Sequence, residues 1–188
     1  MPIDKSIDYS AITPEIKALT KLCLADNVIE PEMYVKYAVN RGLRDLNGNG
    51  VLTGLTEISE IQSSKMVDGE KVPCEGKLFY RGVDVEQIVS GFIREKRYGF
   101  EETVYLLLFG ALPDEAQLDD FKKLLAGYRS LPTNFVRDVI LKAPNADMMN
   151  TLARSVLTLY SYDARATDNS TENVLRQCLQ LIALFPML

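Results

Sequence analysis

The residue types that usually carry acid–base and metal chemistry are unevenly represented in this 188-residue chain, which contains no histidine. Histidine is the side chain whose charge changes near neutral pH, and it is the commonest metal ligand. A Ser-His-Asp or Cys-His catalytic site and a histidine-ligated zinc site are therefore excluded within the chain. Any chemistry has to use carboxylates, Lys, Tyr, Ser or Cys.

One stretch, Asp45–Gly50, begins like a calcium-binding loop, with oxygen-bearing side chains at alternate positions and a glycine at the sixth position. The match fails further on, because the position that requires a bidentate glutamate is Thr56 and Glu57 comes one residue late. Asn and Gly both tolerate positive φ angles. We therefore expect an Asn-Gly turn here and no calcium site.

Paired acids could in principle supply a general acid and a general base, and two such pairs occur, Glu101/Glu102 and Asp119/Asp120. Adjacent residues on a helix point in different directions, and both pairs fall at helix starts or on polar faces. We expect all four carboxylates to be solvated.

Two arginines and four tyrosines lie beside apolar stretches. Arg81 and Arg154 could each clamp a carboxylate or a phosphate, but we expect structural pairing with one of the chain's own acids. The tyrosines are expected in the core or at its edge; they are Tyr80, Tyr105, Tyr160 and Tyr162. From the residues alone we assign no catalytic, cofactor-binding or metal-binding residue.

The three cysteines, Cys23, Cys74 and Cys178, lie far apart and form no Cys-x-x-Cys pair. We expect reduced core thiols in a cytoplasmic protein. The net charge is −5 with no long block of one sign, so we expect no nucleic-acid partner. We also expect no targeting segment and no membrane span, because no window is long and apolar enough to cross a bilayer.

The elements that would position these residues are mostly helices. Apolar spacing, caps and breakers predict helices at about 14–26, 31–43, 83–97, 100–110, 114–130, 134–143, 147–162 and 171–185. The predicted N-terminal caps are Thr13 ahead of Pro14, Asp84, Asp114 and Asp147, and Gly110 is predicted to end a buried helix. The side chains predicted to face inward include Leu24, Ile93, Met148 and Tyr160. Short strands or hairpins are predicted at 51–82, where Asp68-Gly69 marks a turn. The predicted fold class is mainly α, a multi-helix array with one small β-hairpin region near 51–82.

The last predicted helix grows more apolar toward Phe185 and has no Gly cap, basic last turn or polar tail before Leu188. A C-terminal helix buried in a monomer is one interpretation. We favour another, a fragment whose next element is missing, and a surface that awaits a partner is the third.

Four stretches resemble the N-terminal portion of citrate synthases. They occur in family order over residues 42–160: Gly42–Asp45 with Gly50–Thr56; Glu75–Glu86; Gly99–Gly110 with Leu112-Pro113; and Asp147–Asn150 with Ala153–Leu157. Because four segments agree in order, the resemblance is specific to the family, although it does not indicate which member.

The resemblance implies a mostly α-helical, two-domain homodimer that condenses acetyl-CoA with oxaloacetate and water to give citrate and CoA. Residues 1–188 would be the N-terminal part of the large domain, without the small domain. In the family an Asp removes a proton from acetyl-CoA while two histidines bind the enolate and the oxaloacetate carbonyl, and the resemblance implies that these residues lie beyond Leu188. The chain alone is therefore expected to be inactive. The resemblance implies no cofactor, because acetyl-CoA takes part in the reaction as a substrate.

Two alternatives remain open at this point. A 2-methylcitrate synthase would use propionyl-CoA, and the pocket residues that distinguish it are not expected in this part of the chain. A non-catalytic helical module would instead bind a partner through the surface at 174–188. Acyl-CoA preference, allosteric control, the oligomeric state of the fragment and the origin of the truncation are not indicated by the sequence.

Overall fold

The structure of the chain, a computed structural model, describes residue 8 and residues 10–26, 28–37, 39 and 54–188. The helices are α1 (Pro14–Asp26), α2 (Pro31–Lys36), α3 (Val85–Arg94), α4 (Phe100–Phe109), α5 (Glu115–Tyr128), α6 (Met148–Tyr160) and α7 (Thr171–Leu184). A π-helix (Val136–Leu141) precedes α6, and a 3-10 turn (Phe185–Met187) follows α7. The strands are β1 (Ser59–Val67), β2 (Glu70–Tyr80) and β3 (Val83–Asp84). The predicted mainly α fold class with one small β region is confirmed.

The chain divides into two compact units. One is continuous, Leu22–Leu118, and holds α2–α4 with the sheet. The other is discontinuous in sequence, because it joins Met1–Lys21 to Asp119–Leu188. We call them the 22–118 unit and the 119–188 unit. The assignment of residues 1–188 to one domain of a longer enzyme stays a prediction.

Two tight turns build the sheet of the 22–118 unit. Strands β1 and β2 pair antiparallel, and Asp68 and Gly69 connect them with φ angles of 51° and 86°. Both angles are positive, as the hairpin turn that matches strand twist requires, which explains the Asp-Gly pair. Arg81 and Gly82 form a second such link, with φ angles of 48° and 78°, between β2 and β3.

Local capping fixes the ends of α3 and α4 in the same unit. The Asp84 carboxylate accepts a hydrogen bond from the Glu86 amide at the start of α3, so the predicted cap is confirmed. Gly110 ends α4 with φ at 83° and donates its amide to the Leu106 carbonyl, as predicted for the Gly that stops a buried helix.

The 119–188 unit is helical. Its apolar core contains Ile16, Phe121, Leu125, Phe135, Leu175, Leu179, Ala183 and Leu184. Thr13 caps α1 ahead of Pro14, and Asp147 caps α6 through the Asn150 amide at 3.0 Å, as predicted. The helix predicted at 134–143 is present but wound as a π-helix over Val136–Leu141. The period of so short an apolar pattern does not separate α from π geometry.

Several residues predicted to face inward are exposed. Leu24, Ile93, Met148 and Tyr160 each expose more than half of their surface. The helical period predicts the direction in which a side chain points, but it does not predict whether a neighbouring element reaches far enough to cover that side chain. Met148 and Tyr160 are the first and last residues of α6, where the helical period is least informative about burial.

The prediction of buried core thiols is wrong for Cys178, which is exposed, and too strong for Cys23 and Cys74, which are partly exposed. All three are free cysteines, as predicted. The inner face of α7 is defined by Leu175 and Leu179, and Cys178 lies about 100° around the helix from Leu179.

Some predictions fall outside the described residues. They are the Asn-Gly turn at Asp45–Gly50 and the first of the four family-like stretches up to Thr53. The second helix, predicted to end near residue 43, is a wrong prediction in its length, because α2 ends at Lys36 with Tyr37 as its C-cap. Among the helices that the structure describes, none combines the length and apolar character needed to cross a bilayer.

Candidate functional site

Arg81 makes structural contacts with backbone oxygens. Its Nε and Nη2 donate to the Leu107 carbonyl at 3.2 and 3.0 Å, and Nη1 donates to the Asp26 carbonyl at 3.4 Å. A guanidinium at the last turn of α4 satisfies a carbonyl that the helix leaves without an intrahelical partner. The described bonds of Arg81 therefore end on carbonyls rather than on the carboxylate that we expected.

Arg154 lies on α6 and also bonds to backbone. Its Nη2 donates to the Ala143 carbonyl at 2.7 Å, while its Nε is buried and has no hydrogen-bond partner among the described residues. The expected pairing with an acid is not among its described contacts. Arg154 borders a shallow groove with Asn150 and Leu157.

The two acid pairs differ from one another. Asp119 and Asp120 are exposed and face Lys123, at 2.6 and 3.6 Å, so the expectation of solvated carboxylates is confirmed for them. It is wrong for Glu102, which pairs with Arg97 and whose side chain is only 13% exposed. The chain turns at residues 97–99, and this brings the Arg97 guanidinium next to Glu102 in the first turn of α4. Helical periodicity does not predict such a contact.

The four tyrosines differ in their surroundings, and two of them belong to each unit. Tyr105 is buried and packs edge-on against Phe109, with the ring centroids 4.7 Å apart. Tyr162 packs against Phe135 at 6.2 Å, and Tyr80 is partly buried. Tyr160 is 57% exposed, so the prediction of a core position is wrong for it.

The most organised polar cluster is one that the sequence reasoning did not find. It joins Ser10, the loop after α6 and the inner face of α7, and we call it the Asp163–Arg176 network. Arg176 is fully buried, and its Nη2 donates to Asp163 Oδ2 at 2.6 Å. Its other described bonds go to Asn173 Oδ1, at 3.0 and 2.7 Å, and to Gln180 Oε1 at 2.8 Å.

Asp163 is held by donors from three directions. Besides Arg176, Gln177 Nε2 donates to Oδ2 at 2.9 Å, and Ser10 Oγ and the Arg165 amide donate to Oδ1 at 2.8 and 2.9 Å. Burial alone would raise the pKa of Asp163, but the bonds from Gln177, Arg176, Arg165 and Ser10 outweigh it and lower the pKa to about 2. The carboxylate is therefore ionised at all physiological pH values.

A cavity of about 390 Å³ adjoins this network in the 119–188 unit. Its walls come from α5, α6, α7 and the loop after α6; they include Tyr128, Val156, Leu159, Asp163, Leu181 and Leu184. The Tyr128 hydroxyl is buried and has no hydrogen-bond partner among the described residues. Burial raises the pKa of Tyr128, so its hydroxyl keeps its proton at neutral pH.

This arrangement can bind but is poorly suited to proton transfer. A useful general base has a pKa near the working pH, whereas that of Asp163 is about 2 and the pKa of Tyr128 is raised above its ordinary value. Among the described residues no group of three or more acids or cysteines is placed to hold a metal ion. The described part of the chain thus presents a stabilising ion pair beside a cavity, without an assembled catalytic set.

Comparison with known proteins identifies the family to which this fold belongs. A family model described as "Citrate synthase, C-terminal domain" matches residues 45–188. The chain belongs to the citrate synthase family. A solved citrate synthase from Pyrobaculum aerophilum is similar in structure, with a TM-score of 0.56 and 26% sequence identity over 77% of this chain and 36% of that one.

The curated relatives include both citrate synthases and 2-methylcitrate synthases. A citrate synthase of Saccharolobus solfataricus is 33% identical over 107 residues, 56% of this chain and 26% of the relative. A 2-methylcitrate synthase of Corynebacterium glutamicum is 30% identical over 140 residues, 74% of this chain and 32% of the relative. The chain therefore spans about a quarter to a third of the citrate synthase relatives that it matches.

Three of the four family-like stretches lie largely or wholly in described residues and contain local anchors of the fold. Glu75–Glu86 holds the Arg81-Gly82 turn, Gly99–Gly110 is α4 with its terminal glycine, and Asp147–Asn150 is the capped start of α6. In the described residues, the stretches that carry the resemblance to citrate synthases thus contain turns and helix ends that position α3, α4 and α6.

Proposed function

We propose that this chain is the N-terminal part of the large domain of a citrate synthase, which condenses acetyl-CoA and oxaloacetate with water to give citrate and CoA. Family membership supports the reaction class. The N-terminal position is supported by the four family-like stretches, which follow the order of the N-terminal portion of the family. The share of each relative that is covered, 26% and 32%, supports only that the chain corresponds to a part of such an enzyme.

We propose further that the chain alone is inactive. The family chemistry described above requires histidines at the enolate and at the oxaloacetate carbonyl, and the chain has none. The acid in its most organised cluster, Asp163, has a pKa too low for the base that removes the acetyl-CoA proton. Proton removal and enolate stabilisation each commonly contribute orders of magnitude in rate.

The working enzyme in this proposal is a cytoplasmic homodimer that needs no cofactor beyond its acyl-CoA substrate. The free state of the cysteines is typical of a reducing compartment and supports the location. The exposed apolar side chains Met149 and Leu157 on α6 support a further protein contact.

A second candidate, 2-methylcitrate synthase with propionyl-CoA as substrate, is favoured by the relative of that name, which aligns with more of this chain than the citrate synthase relative does. The two reactions differ by one methylene in the acyl group. Pocket discrimination of one methylene is worth about 1–3 kcal/mol, so the ratio of kcat/KM for the two acyl-CoA substrates decides between them.

The test begins with the reading frame after codon 188. We expect it to continue into a helical, histidine-containing portion, and the product of the whole frame to release CoA thiol from acetyl-CoA only when oxaloacetate is present. The purified 188-residue chain is the matched control and should release none. A stop codon after Leu188 would instead favour the non-catalytic helical module, and oxaloacetate-dependent release by the 188-residue chain would refute the inactivity.

A further inference from the structure

The segment ahead of α1 lies against the loop after α6, within the 119–188 unit. We call residue 8 and residues 10–13 the N-terminal strap. Ser10 Oγ donates a hydrogen bond to Asp163 Oδ1 at 2.8 Å and accepts one from the Ala164 amide at 2.8 Å. Among the described residues, both hydrogen bonds that tie the strap to distant parts of the chain use this hydroxyl, so Ser10 is its polar anchor.

Ser10 is also the most deeply buried residue of the strap. It is 8% exposed, whereas Asp8 is exposed and residues 11–13 are partly exposed. Burial becomes deeper inside α1, where Ile16 is fully buried and Thr20 is 5% exposed. Segments with few buried contacts open locally at a lower free energy than the core does. We therefore expect the strap to detach without α1.

The strap and its anchor point both belong to the wall of the cavity in this unit. Asp8 and Asp163 line the space of about 390 Å³ between α5, α6 and α7. When Ser10 leaves its place, Asp8 leaves this wall and Asp163 loses one of its four donors. Arg176 and Gln177 still donate to the carboxylate, so the Asp163–Arg176 network does not depend on the strap.

We propose that the N-terminal strap is a detachable part of the cavity wall, held by the Ser10 hydroxyl, and that it opens while α1 and α5–α7 stay folded. This inference is independent of the proposed reaction, since it concerns only residues of the 119–188 unit. Two hydrogen bonds, one of them to a charged carboxylate, favour the attached strap by roughly 10²- to 10³-fold. The detached strap is thus a minor population that can be measured.

Proteolysis of the folded 188-residue chain measures this population. Thermolysin cuts ahead of apolar residues, so the bond between Ala11 and Ile12 becomes a substrate when the strap detaches. The cutting rate then reports the fraction of open molecules. Mass spectrometry quantifies the new N-terminus at Ile12, and a synthetic peptide of residues 8–16 calibrates the protease.

We expect the chain to be cut at Ile12 roughly 10²- to 10³-fold more slowly than the peptide. Detachment of so short a segment exposes little surface. The ratio of the two rates should therefore change by less than about twofold in urea concentrations below the unfolding transition.

Variants separate the anchor from the stability of the whole unit. Ser10→Ala removes both hydrogen bonds and should speed cutting at Ile12 by roughly 10- to 100-fold. Ser10→Asp places a second carboxylate against Asp163 and should speed cutting at least as much. The control Asp147→Ala removes the cap of α6, which destabilises the same unit away from the strap, and should change cutting by less than about twofold.

Three results would each overturn the proposal. The first is cutting of the wild-type chain as fast as the peptide, because the strap would then not be held. The second is cutting that begins only at urea concentrations that unfold the 119–188 unit. The third is an effect of Asp147→Ala equal to that of Ser10→Ala, including no effect of either, because the hydroxyl would then not be the anchor.

Discussion

The Asp163–Arg176 network should respond to replacement of one carboxylate in a way that can be calculated. In Asp163→Asn the side chain keeps its size and one carbonyl acceptor but loses its charge opposite the fully buried Arg176. Asp163 is only 15% exposed, so solvent screens this pair weakly. The substitution therefore reports the value of the charge itself.

The magnitude follows from proton linkage. The pKa of Asp163 is about 2 in the folded chain, against 3.8 for the free side chain. A difference of about 1.8 units corresponds to roughly 2.5 kcal/mol of folding stability. Because the folded-state pKa is lowered, this stabilisation is fully present above pH 3.8 and is lost as the pH falls from 3.8 toward 2. Asp163→Asn should lack it at every pH.

Urea unfolding followed by far-UV circular dichroism measures this at pH 7 and at steps down to pH 2.5. We expect wild type to exceed Asp163→Asn by about 2–3 kcal/mol at pH 7, and the difference to shrink toward zero below pH 3. The matched control is Asp120→Asn, whose carboxylate is 82% exposed, and it should change stability by less than about 0.5 kcal/mol. A difference that stays constant down to pH 2.5 would refute the electrostatic account.

Two further predictions concern helix ends. At the start of α5 the Asp114 amide donates to Gln117 Oε1 at 2.9 Å, and the Gln117 amide donates to Asp114 Oδ1 at 2.8 Å. Asp114→Ala should therefore lower the free energy of unfolding by about 1 kcal/mol, whereas Asp114→Ser should keep most of this stabilisation. Equal losses in the two variants would contradict the capping role. Gly110→Ala should destabilise by roughly 1–2 kcal/mol in thermal unfolding, because φ is 83° and the new Cβ would lie 3.0 Å from the Asp26 Cβ. Gly91→Ala, at a site with open space inside α3, should stabilise by about 0.5–1 kcal/mol, and an equal sign for both glycines would contradict this reasoning.

The features predicted correctly from sequence are local ones. Thr13-Pro14, Asp147, Gly110 and the Asp68-Gly69 turn act on backbone within about four residues of themselves, so their effect is readable without knowledge of the fold. The same holds for the change from strand to helix after Gly82. Such signals fix where an element begins and ends.

The Asp163–Arg176 network was missed because its partners are far apart in sequence, by 13 residues for Arg176 and by 153 for Ser10. One signal was present: Arg176 lies on the same face of α7 as Leu179 and Ala183, three and seven residues later. A cation on an otherwise buried apolar face requires a carboxylate or several acceptors. The pattern does not identify which acid supplies them.

Pairing of Ser10 with Asp163 has a consequence for how the chain acquires its structure. The bond joins residues 153 positions apart in the sequence, and closing a loop of that length costs a conformational free energy on the order of 4–5 kcal/mol. Ser10 therefore cannot make this contact until Asp163 and the α7 residues that hold it have been synthesised, whereas the intervening 22–118 unit contains its own sheet and capped helices. During translation we expect Ser10 to reach its final position after the elements of that unit have formed.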